Sequence, residues 1–169
     1  MKKGRWKAAP YGFTLIELIV SLVIIGLLAA IALNASKTAI QTAKQRASMA
    51  NMRNAAVIVS YFQLENNKFP QCSDTPGNID MGNIGNWEIC TLEDIRPILV
   101  PPSPEALLSN FATKDSWQND FIYESDGNNY IIRCYGQNGT ADGPISPQTR
   151  HQFYLDIYLE NGIFTASPF

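Results

Sequence analysis

Histidine is nearly absent from this 169-residue chain, which holds one, His151, and cysteine is scarce, with three. One imidazole has no histidine partner for a metal site, and Cys72, Cys90 and Cys134 fit no C-x-x-C spacing. Nothing in the chain reads as G-x-S-x-G, H-E-x-x-H, a P-loop or a dinucleotide fingerprint. A Ser–His–Asp site would have to use His151, which lies in a polar loop without a recognisable nucleophile context. An enzyme is therefore the poorest of the functional readings, and His151 reads as a surface residue.

Acid is missing from the first twelve residues, which carry Lys2, Lys3, Arg5 and Lys7. Those four account for part of the thirteen cations, so residues 13–169 hold nine against fifteen carboxylates, a net charge of −6 under a whole-chain −2. An acidic body lacks the clustered basic face that nucleic acid requires. No Pro or Gly falls between Gly26 and Pro70, which predicts a continuous helix from about Phe13 to Asn66. At about 1.5 Å per residue such a helix is near 80 Å long.

What is present begins with an apolar run. Counted from Phe13 to Leu33 it reaches 21 residues, and after Glu17 its only polar side chain is Ser21. That length matches the roughly 20 residues needed to span a bilayer core, and a core helix is rarely apolar on every face for so long. A secretory signal peptide is the rival, with Ala30-Ile31-Ala32 as its cleavage site and a plain soluble binding domain behind it. Against it stand the length of the run and the carboxylate of Glu17 in its first turns, where charge is costly and marks a function. Charge alone does not settle orientation, because Lys37, Lys44 and Arg46 follow the span.

The stretch "YGFTLIEL", Tyr11 to Leu18, resembles the prepilin signature of type IV pilins and of the pseudopilins of type II secretion. The basic leader, the Gly12-Phe13 junction, Glu17 and the apolar helix occur in order. The resemblance implies that a prepilin peptidase cuts after Gly12, removing the leader 1–12, and methylates the new amine of Phe13. It also implies polymerisation with identical or related subunits on an inner-membrane assembly platform. The expected topology is single-pass in the inner membrane, with a cytoplasmic N-terminus and a periplasmic head. The buried charge of Glu17 then has a use: it meets the Phe13 amine of a neighbouring subunit, each relieving the other's desolvation. The alternative is a Glu17 that snorkels to the membrane interface.

Beyond the span the helix becomes amphipathic. Ile40, Ala43, Ala47, Ala50, Asn54, Val57, Tyr61 and Leu64 recur at spacings of three and four, and this stripe is read as the seat for a globular head. "ENNKFP", Glu65 to Pro70, ends the helix. Gln71 to Asn86 reads as loop, bracketed by Cys72 and Cys90, the candidate disulfide; sequence alone does not fix the connectivity. Closing that loop would contribute roughly 3 kcal/mol in the chain-entropy picture. Thr91 caps a helical turn through Asp94, before Pro97, and Ser103-Pro104-Glu105 opens a second short helix through Ser109. Strands are predicted at Phe121–Glu124 and Asn129–Tyr135 around "SDGN", and at Phe153–Leu159 and Ile163–Ala166 around Glu160-Asn161-Gly162. The fold class is α+β: a long N-terminal helix over 13–66, membrane-spanning over 13–33, packed on a small antiparallel sheet in a head over 67–169. That is the pilin fold.

A second resemblance is more specific. "DSWQNDFIYESDGNNYIIRCYGQNGTADG", Asp115 to Gly143, is similar to the region that the major pseudopilin of type II secretion writes as D-P-W-G-N-P-Y-x-Y, a strand and a G-x-D-G loop. Asp115, Trp117, Asn119, Phe121 and Tyr123 hold comparable places, and Trp117 and Tyr123 read as core aromatics. This resemblance implies a type II secretion pseudopilus that exports folded proteins, with a type IV pilus subunit for adhesion, motility or DNA uptake as the alternative. No cofactor is required on either reading. A Ca²⁺ site in the loop is implied for the family; here Asn138 takes the acidic position, leaving Asp142 and Asp156 as carboxylates. Many pilins also place a Pro eight residues after the glycine matching Gly26, and here that residue is Asn34.

Overall fold

The computed structural model describes residues 12–74, 83–84, 87–99 and 111–169. The chain divides into two compact units, Met1–Ala39 and Ile40–Phe169. Helix α1, Leu15–Asn66, contributes to both. It is helical through Gly26 and Asn34, so the substitution of Asn for the expected Pro leaves the backbone ladder unbroken there. The helix expected to open at Ser103 lies outside the described residues.

In the first unit every described side chain is exposed. In the second, the helix gives one face to a six-stranded antiparallel sheet in the order β1-β2-β3-β4-β5-β6. The strands are β1 Asn83–Ile84, β2 Trp87–Thr91, β3 Ile122–Ser125, β4 Tyr130–Cys134, β5 Ile157–Glu160 and β6 Ile163–Ala166. This is the α+β, pilin-like arrangement, with each strand beside its sequence neighbour.

The helix ends as its residues dictate. Asn67 takes a left-handed φ of 56° and donates its amide to Gln63 O at 2.8 Å, the cap that follows many helices. Both predicted hairpins form. Ser125 pairs with Tyr130, and Asp126 Oδ1 accepts the amides of Asn128 and Asn129 at 2.9 and 2.6 Å. Glu160 pairs with Ile163 across Asn161-Gly162, whose φ values of 47° and 84° are those of a two-residue primed turn.

Three expectations are corrected. The loop read over Gln71 to Asn86 contains strand β1 and a 3-10 turn, Cys72–Asp74, and β2 follows at once. Strand β2 went unread because its five residues show little alternation; they pair with β3 from Glu88↔Ser125 to Thr91↔Ile122. Helix α2, Leu92–Leu99, runs through Pro97 rather than ending before it. Its start is a reciprocal cap: Asp94 Oδ2 accepts Thr91 N and Oγ1 at 2.9 and 2.7 Å, and Thr91 Oγ1 accepts Asp94 N. Leu92, Ile95 and Leu99 are buried, and that burial offsets the hydrogen bond Pro97 cannot make.

The third correction concerns the seat of the head. The buried face of α1 is Gln45, Ser48, Met49, Met52, Ala55, Ala56, Ile58 and Val59, whereas the stripe from Ile40 to Leu64 is exposed throughout. The two stripes are offset by two residues, about 200° around a helix of 3.6 residues per turn. Both satisfy the same spacing. Gln45 and Ser48 disguised the buried one as polar, and Met49, Met52 and Val59 supply the volume that the sheet packs against.

Candidate functional site

Two places gather the residues singled out by sequence. At the start of α1, Thr14 and Glu17 form a capping box. Glu17 Oε2 accepts Thr14 N at 2.9 Å and Thr14 Oγ1 at 2.8 Å, while Glu17 N donates to Thr14 Oγ1 at 3.4 Å. The pattern Thr-x-x-Glu before an apolar run is the signal that could have disclosed this second role for Glu17. Both bonds fall on one carboxylate oxygen. Ser21 Oγ then donates to Glu17 O at 2.7 Å, so the other hydroxyl of the apolar run is bonded to the helix backbone. Phe13 precedes the helix and is exposed, as is Gly12, and among the described residues no atom lies within 4 Å of the position a side chain would take at Gly12. Helix α1 is long and apolar enough to cross a membrane, and its most apolar window is unburied.

The second place is the segment from Asp115 to Asn119. Asp115 is buried, and its Oδ1 accepts the amides of Trp117 and Asn119, each at 2.8 Å. Gln118 takes a φ of 75° to close the turn. The turn is fixed to α1 by two bonds: Ser116 N donates to Ser48 Oγ at 3.0 Å, and Trp117 Nε1 to Gln41 Oε1 at 2.7 Å. Asn119 Nδ2 donates to Gly136 O at 2.7 Å, joining the turn to the next loop. A side chain at Gly136 would lie 2.5 Å from Phe153 O at a φ of 69°, so only glycine fits. Trp117 is half-buried and Tyr123 fully buried, with Tyr123 Oη donating to Pro70 O at 2.9 Å. These residues hold the head together.

Cys72 and Cys90 are bonded, with S–S 2.14 Å, and Cys134 is a buried free thiol. Burial first, then the nearby Asp115 carboxylate, pushes the Cys134 thiol far above its ordinary range, leaving it unreactive. His151 is exposed, and Arg150 Nε donates to its Nε2 at 3.3 Å.

The candidate calcium ligands lie in one loop region. Asn138 Nδ2 donates to Asp142 Oδ2 at 2.6 Å, and Asp142 N donates to both oxygens of Asp156 at 3.2 Å. Burial pushes the Asp156 carboxyl up to about 6. Among the described residues no three of His, Cys, Asp and Glu come together. Two carboxylates and an amide fall short of the six to eight oxygens Ca²⁺ takes, so carbonyls and water would have to supply most of the shell.

No curated protein and no solved structure matches this chain. A family model does match at residues 9–33, described as the prokaryotic N-terminal methylation motif. That span holds the Gly12-Phe13 junction, the Thr14–Glu17 box and the exposed apolar turns, and the head behind it is α+β. The match is to that N-terminal motif, which prepilin-processed, type IV pilin-like proteins carry, and it covers residues 9–33.

Proposed function

We propose that this protein is a structural subunit, cut after Gly12, methylated on the Phe13 amine, and polymerised through its N-terminal helix. One observation carries the reading: Glu17 is the fifth residue after the Gly12-Phe13 junction and the only charge in the exposed apolar run from Phe13 to Leu33. In hydrocarbon such a carboxylate is stable only with a partner. Its Oε2 is engaged by Thr14 within the free chain, and the ammonium created at Phe13 of a neighbour is the strongest complement for the carboxylate as a whole. The leader and the apolar run favour anchorage in the inner membrane with the head outside the cytoplasm, where the Cys72–Cys90 disulfide would persist.

The intact mass of the protein purified from membranes tests this. A chain starting at Phe13 with one added methyl group is expected. A chain starting after Ala32 would refute it.

Within this class we favour a type II secretion pseudopilus, on the likeness of Asp115 to Gly143 to the major pseudopilin segment. Deleting the gene should then stop release of folded proteins and leave surface pili intact. Loss of surface pili with secretion unchanged would transfer the assignment to a type IV pilus.

A further inference from the structure

The sheet has two edges, and they differ in length. Strand β1 has two residues and β6 has four, and β6 stands last in the order with β5 as its neighbour. In a hairpin closed by two residues the flanking pair exchanges both hydrogen bonds. Glu160 and Ile163 are that pair, so the N–H and C=O of Phe164 point away from β5. Asn161 N, which donates to Tyr130 O at 3.0 Å, sets the same phase from the β4 side. Among the described residues neither backbone group of Phe164 has a partner beyond the edge. An unpaired edge of this kind is a template for another strand.

Beside this edge a groove of about 530 Å³ runs between β6 and α1. Its walls are Arg46, Met49 and Arg53 from the helix, with Phe164, Ser167 and Phe169 opposite, and no Asp or Glu lines it. Arg46 and Arg53 lie over the rings of Phe169 and Phe164, 4.8 and 5.0 Å from the centroids. Neither belongs to any of the four ion pairs among the described residues. A guanidinium stacked on a ring keeps its hydrogen-bonding edge for a carboxylate.

We propose that the β6 edge binds an extended segment of another protein, added as a seventh strand, with an apolar residue opposite Phe164 and a carboxylate two positions away on each side. The residue opposite Phe164 exchanges both backbone bonds with it and turns its side chain to the same face, toward Met49. The two carboxylates stand about 13 Å apart along a strand. Arg46 and Arg53, seven residues apart on α1, are separated by about 10.5 Å, and flexible side chains cover the difference. The register shift opposite Tyr158 and Leu159 limits the regular edge to Ile163 and Phe164, so the groove must supply the rest of the hold. In this chain, acids four apart occur only at Asp120/Glu124 and Asp156/Glu160, along β3 and β5, which are paired on both sides. The occupant is therefore a partner's segment and not a second copy. All the residues involved lie within 40–169, so the inference goes beyond the subunit reading and does not depend on it.

The test uses the full chain in detergent micelles and the fluorescent, end-blocked peptide Thr-Glu-Thr-Val-Thr-Glu-Thr, followed by anisotropy. Saturable binding is expected, with slower hydrogen exchange at the Phe164 amide. Methylating the amide nitrogen of the central Val should weaken binding at least about tenfold, as should replacing both Glu by Lys. Those changes leave the protein untouched, so misfolding cannot account for them. Arg46→Glu and Arg53→Glu should each weaken binding to a similar degree. Equal binding of the methylated and unmethylated peptides would overturn the added strand, leaving charge attraction alone. Absence of binding at about 1 mM peptide would overturn the site. Protection of the Phe164 amide that rises with protein concentration in the absence of peptide would give the edge to a second copy and overturn the partner.

Discussion

The stretch of α1 before Ile40 and the stretch after it follow the same helical periodicity in opposite surroundings. From Leu15 to Ala39 every side chain is exposed, and as far as Leu33 the turns are apolar on nearly all sides. From Ile40 to Asn66 one face is sealed by the sheet and the other, with Val57 and Leu64, is open. In the first stretch no face is distinguished, so composition says all there is to say and the single carboxylate, Glu17, stands out. In the second, two faces obey one spacing rule, and the partner element selects between them. An apolar stripe is evidence of a contact, and its spacing is silent on which contact.

The sharpest way to break this comparison is at the junction that defines the first stretch. Replacing Gly12 with Val should abolish cleavage and methylation almost completely, and intact mass would show the twelve-residue leader retained. Next comes Glu17. Glu17→Gln should leave membrane insertion intact and cut filament yield about tenfold or more, whereas Thr14→Ala removes the capping box, worth ~1 kcal/mol, and should spare assembly. Equal loss in both variants would reduce Glu17 to a helix cap.

Three predictions concern the second stretch and its head. Removing the disulfide with Cys72→Ser and Cys90→Ser should lower stability by roughly 3 kcal/mol in thermal or denaturant unfolding. Asp115→Ala strips the acceptor from two part-buried amides and should cost about 2 kcal/mol, with Asp115→Asn costing less. The smallest effect is at Asp126, whose carboxyl is held below the usual range by the backbone amide of Asn129, with that of Asn128 assisting. A lowered folded pKa adds stability above the ordinary carboxylate range and loses it as pH falls through the folded value. Unfolding midpoints measured from pH 6 down to pH 2 should therefore drop less in Asp126→Asn than in wild type.

Much of the head was legible in advance. Asn161-Gly162 and Gly127 announced their hairpins because few residues tolerate those backbone angles. Asn67 and Pro70 marked the helix end for the same local reason. Strand β2 was illegible because its residues are defined by pairing with β3, some thirty positions away. The role of Asp115 was half-legible: the likeness marked the residue, and only the fold shows its carboxylate bonding the turn that rests on Ser48 and Gln41.

The sequence by itself determined the apolar helix, the Gly12-Phe13 junction, the misplaced charge at Glu17 and the turns, all of which depend on neighbours within a few residues. Only the tertiary structure decided which face of α1 meets the sheet, why Gln45 and Ser48 are buried, and which stripe stays open beside Arg46 and Arg53. Those outcomes depend on volume and hydrogen bonding between distant segments, and helical spacing alone scores two opposite faces alike.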